Sequence, residues 1–160
     1  MSFLEEITAS KKKVIAKDWE KHLVGFTEIE PLLFVKRCDP VLICVSLFLN
    51  KEHTKYQPVG FVHALTDNLD FIGSSFKHEF KPYISKHKKN FEISFERHQA
   101  EINDLFGISK LDIKFFLNDF YTFSDILNEA SDWYIDRNRR GPKFQPKAIE
   151  KLISIASYLY

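Results

Sequence analysis

The sequence predicts a single α+β domain over residues 1–160. Three observations carry that prediction. The chain opens on an amphipathic helical pattern, continues with β-type segments joined by short connections, and then reads as mostly helical. Helices and strands segregated in this way pack as layers of an α+β domain, whereas alternating ones wind into a parallel sheet. At 160 residues the chain is one domain's worth and buries roughly 70% of its unfolded surface, enough for a core without metals or disulfides. The expected layout is an N-terminal helix, an antiparallel meander of about three to four strands, and a mostly helical C-terminal half packing on the sheet.

The first helix is predicted over 3–24. At about 100° per residue, Leu4, Ile7, Val14, Ile15, Trp19 and His22 share one side, with Lys12, Lys13 and Glu20 mostly away from it. Gly25 stands where a glycine ends a helix. A strand over 32–36 follows, then the turn pair Asp39-Pro40, then the apolar run Val41–Leu49. Only Ser46 breaks that run, so it should be a central strand covered on both faces. The turn would place Cys38 near Val41 and Cys44 near Val35, so the two thiols do not face each other and no bridge is expected. Residues 50–55 read as a loop and 59–65 as a strand, with Pro58 at its start, where a missing N–H is tolerated.

The segment 68–90 mixes aromatics with Pro82 and the basic run Lys86-His87-Lys88-Lys89. Residues 91–106 fit a helix carrying Phe91, Phe95, Ile102, Leu105 and Phe106 and ended by Gly107. Their first five residues also alternate as a strand does, and both readings stay open. A helix is predicted over 124–140 from Phe123, Ile126, Leu127, Ala130, Trp133 and Tyr134, with Ser124 as N-cap and Gly141-Pro142 as stop. A last helix starts at Pro146 and carries Ala148, Ile149, Leu152, Ile153, Ala156 and Leu159.

Several function classes are excluded. The five glycines are never closer than 13 residues, which rules out a P-loop and a dinucleotide fingerprint. A net charge of +1 argues against a dedicated nucleic-acid binder. The longest strongly apolar run has nine residues, against about 20 for a membrane helix. Glu5 and Glu6 interrupt any secretory leader, and two thiols in apolar surroundings suit a reducing compartment, so a cytoplasmic location is expected.

No catalytic motif is present. The histidines at 22, 53, 63, 78, 87 and 98 show no metal-ligand spacing, and neither do the two cysteines; no metal and no cofactor are expected. His22 and His63 read as half-buried structural histidines. On a helix Glu92 and Glu96 would share a face near His98, so a small hydrolase or nuclease using Glu92, Glu96 and His98, or a metal held by dispersed ligands, is one alternative. Asp112-Ile113-Lys114 matches only part of a restriction-type nuclease motif. Gly73-Ser74-Ser75 lacks the nucleophile elbow. Arg137, Arg139, Arg140 and Lys143 lie at a helix C-terminus, where cations complement the dipole. A ligand-binding module is the other alternative, suggested by a 15% aromatic content.

One charge feature stands apart. From Asp112 to Asp136 there are six acids and one lysine, a local charge of −5. Asp125, Glu129, Asp132 and Asp136 follow helical spacing opposite the apolar stripe, with Asp119 at the rim. Like charges so placed repel by a few tenths of a kcal/mol per pair. Such a ridge suits docking to a basic partner.

A small α+β chain with a helix over 3–24, the entry Gly25-Phe26-Thr27, a meander around Val41–Leu49, closing helices and an acidic helix face resembles the immunity proteins of bacterial toxin systems, including contact-dependent growth inhibition. The resemblance lies in size and layout and carries no residue across. It implies a non-catalytic toxin inhibitor, whose partner is a cognate protein toxin such as a basic nuclease domain, with no direct nucleic-acid or membrane contact.

Overall fold

The structure, a computed structural model, describes residues 5–39, 41–65, 76–79, 92–107, 121–122, 124–126, 128 and 157. The first helix, α1, spans Ala9–Glu20, shorter than 3–24. Thr8 stops it at the N-terminus: its hydroxyl accepts from Lys11 N at 3.5 Å and its carbonyl from Lys12 N at 2.9 Å. Ile7 lies ahead of this cap and is a separate anchor, buried, with its N–H donating to His53 O at 2.6 Å. Ile15, Ala16 and Trp19 turn inward. Val14 does not; it lies roughly 140° around the helix from Trp19 and stays 48% exposed.

Gly25 belongs to the turn that enters the sheet, five residues beyond the last helical residue. Its φ is +76°, and a Cβ there would meet Lys36 Cε and Nζ at 3.2 Å. Lys36 Nζ reaches over it to donate to Val24 O at 3.2 Å. The backbone angle favours glycine, and a Cβ would also push the flexible end of Lys36 aside by a few tenths of an ångström.

Six strands follow: β1 Thr27–Glu30, β2 Leu33–Cys38, β3 Val41–Leu49, β4 Lys55–Ala64, β5 Phe76–Glu79 and β6 Ile93–Ser94. A 3-10 turn, Phe95–Arg97, leads into helix α2, His98–Gly107. All pairings are antiparallel, in the order β1-β2-β3-β4-β5, with β6 also on β4. The α+β class holds, and the described residues form six strands, more than the expected three to four. The additional ones are short, and β1 (Thr-Glu-Ile-Glu) is exposed throughout, so it has no apolar alternation to read. The segment after Phe91 is strand and helix in succession, which resolves its double pattern.

β3 lies in the middle of the sheet. Cys38 pairs with Val41 and Val35 with Cys44, as the Asp39-Pro40 turn predicts, and both cysteines are free. β4 begins at Lys55, so Pro58 lies inside the strand, opposite Leu47. On its other side, among the described residues, β6 pairs with Lys55 and Tyr56 and β5 with Val59 to Val62. Pro58 thus lies between these two described pairings, in a strand rather than at its start.

One sheet face carries Phe34, Ile43, Val45, Tyr56 and Val62. Ile15 and Trp19 of α1, Ile93 of β6, Ile102 and Leu105 of α2, and Ile126 join them in one core. Each fully buried aliphatic side chain contributes about 1.5–3 kcal/mol. On the other face Cys44, Ser46, Val59, Phe61 and His63 are buried, while Leu42 is half-buried and Phe48 is 50% exposed, so β3 is covered on both sides in its middle and not at its ends. Of the predicted C-terminal helices, residues 124–126, 128 and 157 are helical; the rest of 124–140 and of the helix from Pro146 lies outside the described residues.

Candidate functional site

The described residues bring one set of polar side chains together inside the core. α1 supplies Asp18 and Trp19, the start of β4 supplies Tyr56, and the first residue of α2 supplies His98. Trp19 Nε1–H donates to Tyr56 Oη at 3.2 Å. Tyr56 Oη is 2.8 Å from His98 Nδ1, and His98 Nε2 is 3.2 Å from Asp18 Oδ2. Asp18 Oδ1 accepts from Lys21 Nζ at 2.6 Å. The series runs from the buried indole to a lysine at the surface.

Only one arrangement of hydrogens satisfies it. Asp18 can only accept, because the Lys21 ammonium, aided by His98 and opposed by burial, holds its carboxyl below the ordinary value. His98 therefore carries its hydrogen on Nε2, leaving Nδ1 to accept from the Tyr56 hydroxyl. Burial pushes the His98 imidazole below its usual value, against the opposing pull of Asp18. Burial also raises the Tyr56 phenol. Packing completes the setting: Trp19 meets Tyr56 edge-on at 6.5 Å and Phe106 at 5.2 Å, and Phe95 stacks parallel to His98 at 6.4 Å.

A hydroxyl, an imidazole and a carboxylate in series can serve nucleophilic catalysis when the hydroxyl is open to substrate. Here Tyr56 is 0% and His98 3% exposed. The series joins α1, β4 and α2, with its hydroxyl and imidazole enclosed and its carboxylate partly exposed beside Lys21. The chain matches no family model, no curated protein and no solved structure.

Glu92 and Glu96 are not what His98 meets; its two ring nitrogens are taken by Asp18 and Tyr56. Glu92 precedes β6 and lies 3.9 Å from Lys55 Nζ. Glu96 is in the 3-10 turn and accepts from Glu5 N at 3.4 Å. The two carboxylates miss a common helical face because strand β6 separates Glu92 from the turn. Among the described residues no three His, Cys, Asp or Glu stand together as a metal site. His22 is half-buried and stacks on Phe106 at 4.0 Å, and His63 is buried in β4.

Of the acidic ridge, Asp125 lies among the described residues; Asp119, Glu129, Asp132 and Asp136 lie outside them. Asp125 is exposed, and its Oδ2 accepts from Thr122 N at 2.7 Å and Thr122 Oγ1 at 2.6 Å. Thr122 Oγ1 in turn accepts from Asp125 N at 3.1 Å, and Thr122 O from Ile126 N at 3.3 Å. This is a reciprocal capping box, so the helix is capped by Thr122, two residues before Ser124. The hydroxyl bond first, then the backbone one, keeps the Asp125 carboxyl below its ordinary value. Thr122-x-x-Asp125 was the sequence signal for it. Asp18 and Tyr56 had no such signal, since nothing local couples them to His98.

Proposed function

We propose that this chain is a non-catalytic, cytoplasmic binding protein of the immunity type, which neutralises a cognate toxin, a basic nuclease, by occluding its active site. The observation that carries the reading is the charge of −5 between Asp112 and Asp136 in a chain of net charge +1. Asp119, Asp125, Glu129, Asp132 and Asp136 form the partner-facing ridge, where their field speeds encounter with a cationic surface and rejects like-charged ones. An ordinary interface of this kind buries about 1,600 Å² in total. Asp125 at the head of the ridge is ionised and solvent-facing, which is compatible with that role.

The test is co-expression. The C-terminal domain of a large secreted protein encoded beside this chain is produced alone and together with it in a bacterial host. The reading expects growth arrest by the domain alone and restored growth with this chain present. Arrest that persists at equal expression, with no complex formed between the purified proteins, overturns it.

A further inference from the structure

We propose that the series Trp19–Tyr56–His98–Asp18 is an acid-opened clasp: a proton taken up at His98 Nδ1 removes the seat of the Tyr56 hydroxyl hydrogen and loosens α1 and α2 from β4. At neutral pH every donor in the series has one acceptor: indole to phenol oxygen, phenol to Nδ1, Nε2 to carboxylate. Once Nδ1 carries a hydrogen, it and the phenol hydrogen point at each other. The phenol oxygen can accept from both Trp19 and His98, but its own hydrogen must then turn into a core where Tyr56 is 0% exposed. An unsatisfied donor there weakens the junction of three elements at once.

The charged and titratable groups around the ring set how readily this happens. From α1, Asp18 favours the imidazolium and Lys21 opposes it. From β4 the facing group is Tyr56 itself. From α2, Glu101 acts on the Tyr56 phenol and is paired with Arg97. His98 also opens α2, where the positive end of the helix dipole opposes a second proton. Burial is the largest influence and works in the same direction as Lys21 and the helix end.

The sign follows. The unfolded chain binds the proton near pH 6.5, and the folded one only at a lower pH. Stability is therefore complete above about 6.5 and falls as pH drops towards the folded value, below which His98 causes no further loss. In that window the unfolding equilibrium constant rises by up to about ten-fold per pH unit.

The experiment uses the full chain carrying His22→Gln, so that the other helix-side histidine does not contribute, with and without His98→Gln. Gln keeps an amide donor for Asp18 and an acceptor for Tyr56 but does not titrate. Urea curves between pH 7.5 and 5.5 should show the unfolding constant rising at least about three-fold more with His98 than with Gln. Equal rises in the two overturn the clasp. If the Gln variant does not fold, ring nitrogen-15 spectra of the unsubstituted protein decide. Expected are an Nε2–H tautomer at pH 7.5, and a shift of the Trp19 indole N–H signal in step with ring protonation below pH 6.5. An Nδ1–H tautomer, or ring protonation that leaves the indole signal unmoved, overturns it.

Discussion

His98 Nε2 stands 3.2 Å from Asp18 Oδ2, joining residues 80 positions apart in the chain. Because the carboxylate orients the imidazole, the other ring nitrogen is presented to Tyr56, and Tyr56 in turn accepts from Trp19. Four side chains thus form one unit in which removing a member takes one hydrogen-bond partner from each of its neighbours.

Tyr56→Phe is the cleanest test of that unit, since it keeps the ring and deletes one oxygen. It takes the phenol oxygen from the Trp19 indole N–H and the hydroxyl hydrogen from His98 Nδ1 together. Each buried group that loses its hydrogen bond costs about 1–3 kcal/mol, so the variant should lose about 2–6 kcal/mol in urea unfolding at pH 7.5 with an unchanged slope. A loss below about 0.5 kcal/mol would mean that water has entered to take the place of the phenol.

Leu32 follows Pro31 in the β1–β2 turn with φ of +68°, a conformation that favours glycine. It is nevertheless leucine because its side chain is buried in the core, at 3% exposure. The backbone is held from both sides: Leu32 N donates to Glu28 Oε1 at 2.8 Å and Leu32 O accepts from Leu47 N at 2.9 Å. Leu32→Ala should cost about 2–5 kcal/mol, because it loses the packing and keeps the strained angle. Leu32→Gly loses the same packing but relieves about 1 kcal/mol of strain. The expected order in thermal unfolding is parent, then Gly, then Ala. Ala above Gly would show that the angle is not strained in solution.

What could be read ahead of the structure followed from local pattern. The apolar run Val41–Leu49 announced a central strand because covering both faces leaves no polar alternation, and Asp39-Pro40 gave the register of Cys38 and Cys44. Elements without a pattern were missed: β1 shows four exposed side chains, and β6 is two residues long. Proline rarely lies within a strand, which favours placing Pro58 at a start; that β4 begins three residues earlier, at Lys55, depends on its pairing with β3 and β6. The same limit applied to the polar series. Asp18 sits beside the inward Trp19 on a helix otherwise rich in lysine, and only the packing of α1 against α2 brings it to His98. The nearer glutamates, 92 and 96, were the natural partners by sequence distance and are diverted by β6.

The two thiols should differ sharply in reactivity. Burial pushes the Cys44 thiol up to about 12, and the residue is 0% exposed. At pH 8 about one in ten thousand of such groups is thiolate even before access is counted. Burial raises the Cys38 thiol as well, but it is only half-buried, with Sγ donating to Tyr121 O at 3.6 Å. A disulfide reagent at pH 8 should titrate one equivalent in the native protein and a second only in denaturant. Cys38→Ser should abolish the first. Equal rates for both thiols would place Cys44 on a surface that opens readily.

The docking ridge can be tested without disturbing the helix that carries it. Asp125 is part of the capping box with Thr122, so reversing it removes a helix cap along with a charge, and a slower association could then come from a frayed helix. The informative variant keeps Asp125 and changes Glu129, Asp132 and Asp136 to Lys, moving the local charge from −5 to +1. Steering by opposite charge raises association rates by about 10- to 1,000-fold over a neutral encounter. The triple variant should therefore bind the cognate toxin at least about ten-fold more slowly in low salt, with the gap narrowing as salt rises. Thermal unfolding should stay within a few degrees of the parent, since the sequence spacing sets these charges opposite the apolar stripe. Asp119→Lys alone, at the rim, should slow binding less. Association at the parental rate across the salt series would remove the ridge from the interface, whichever toxin the protein binds.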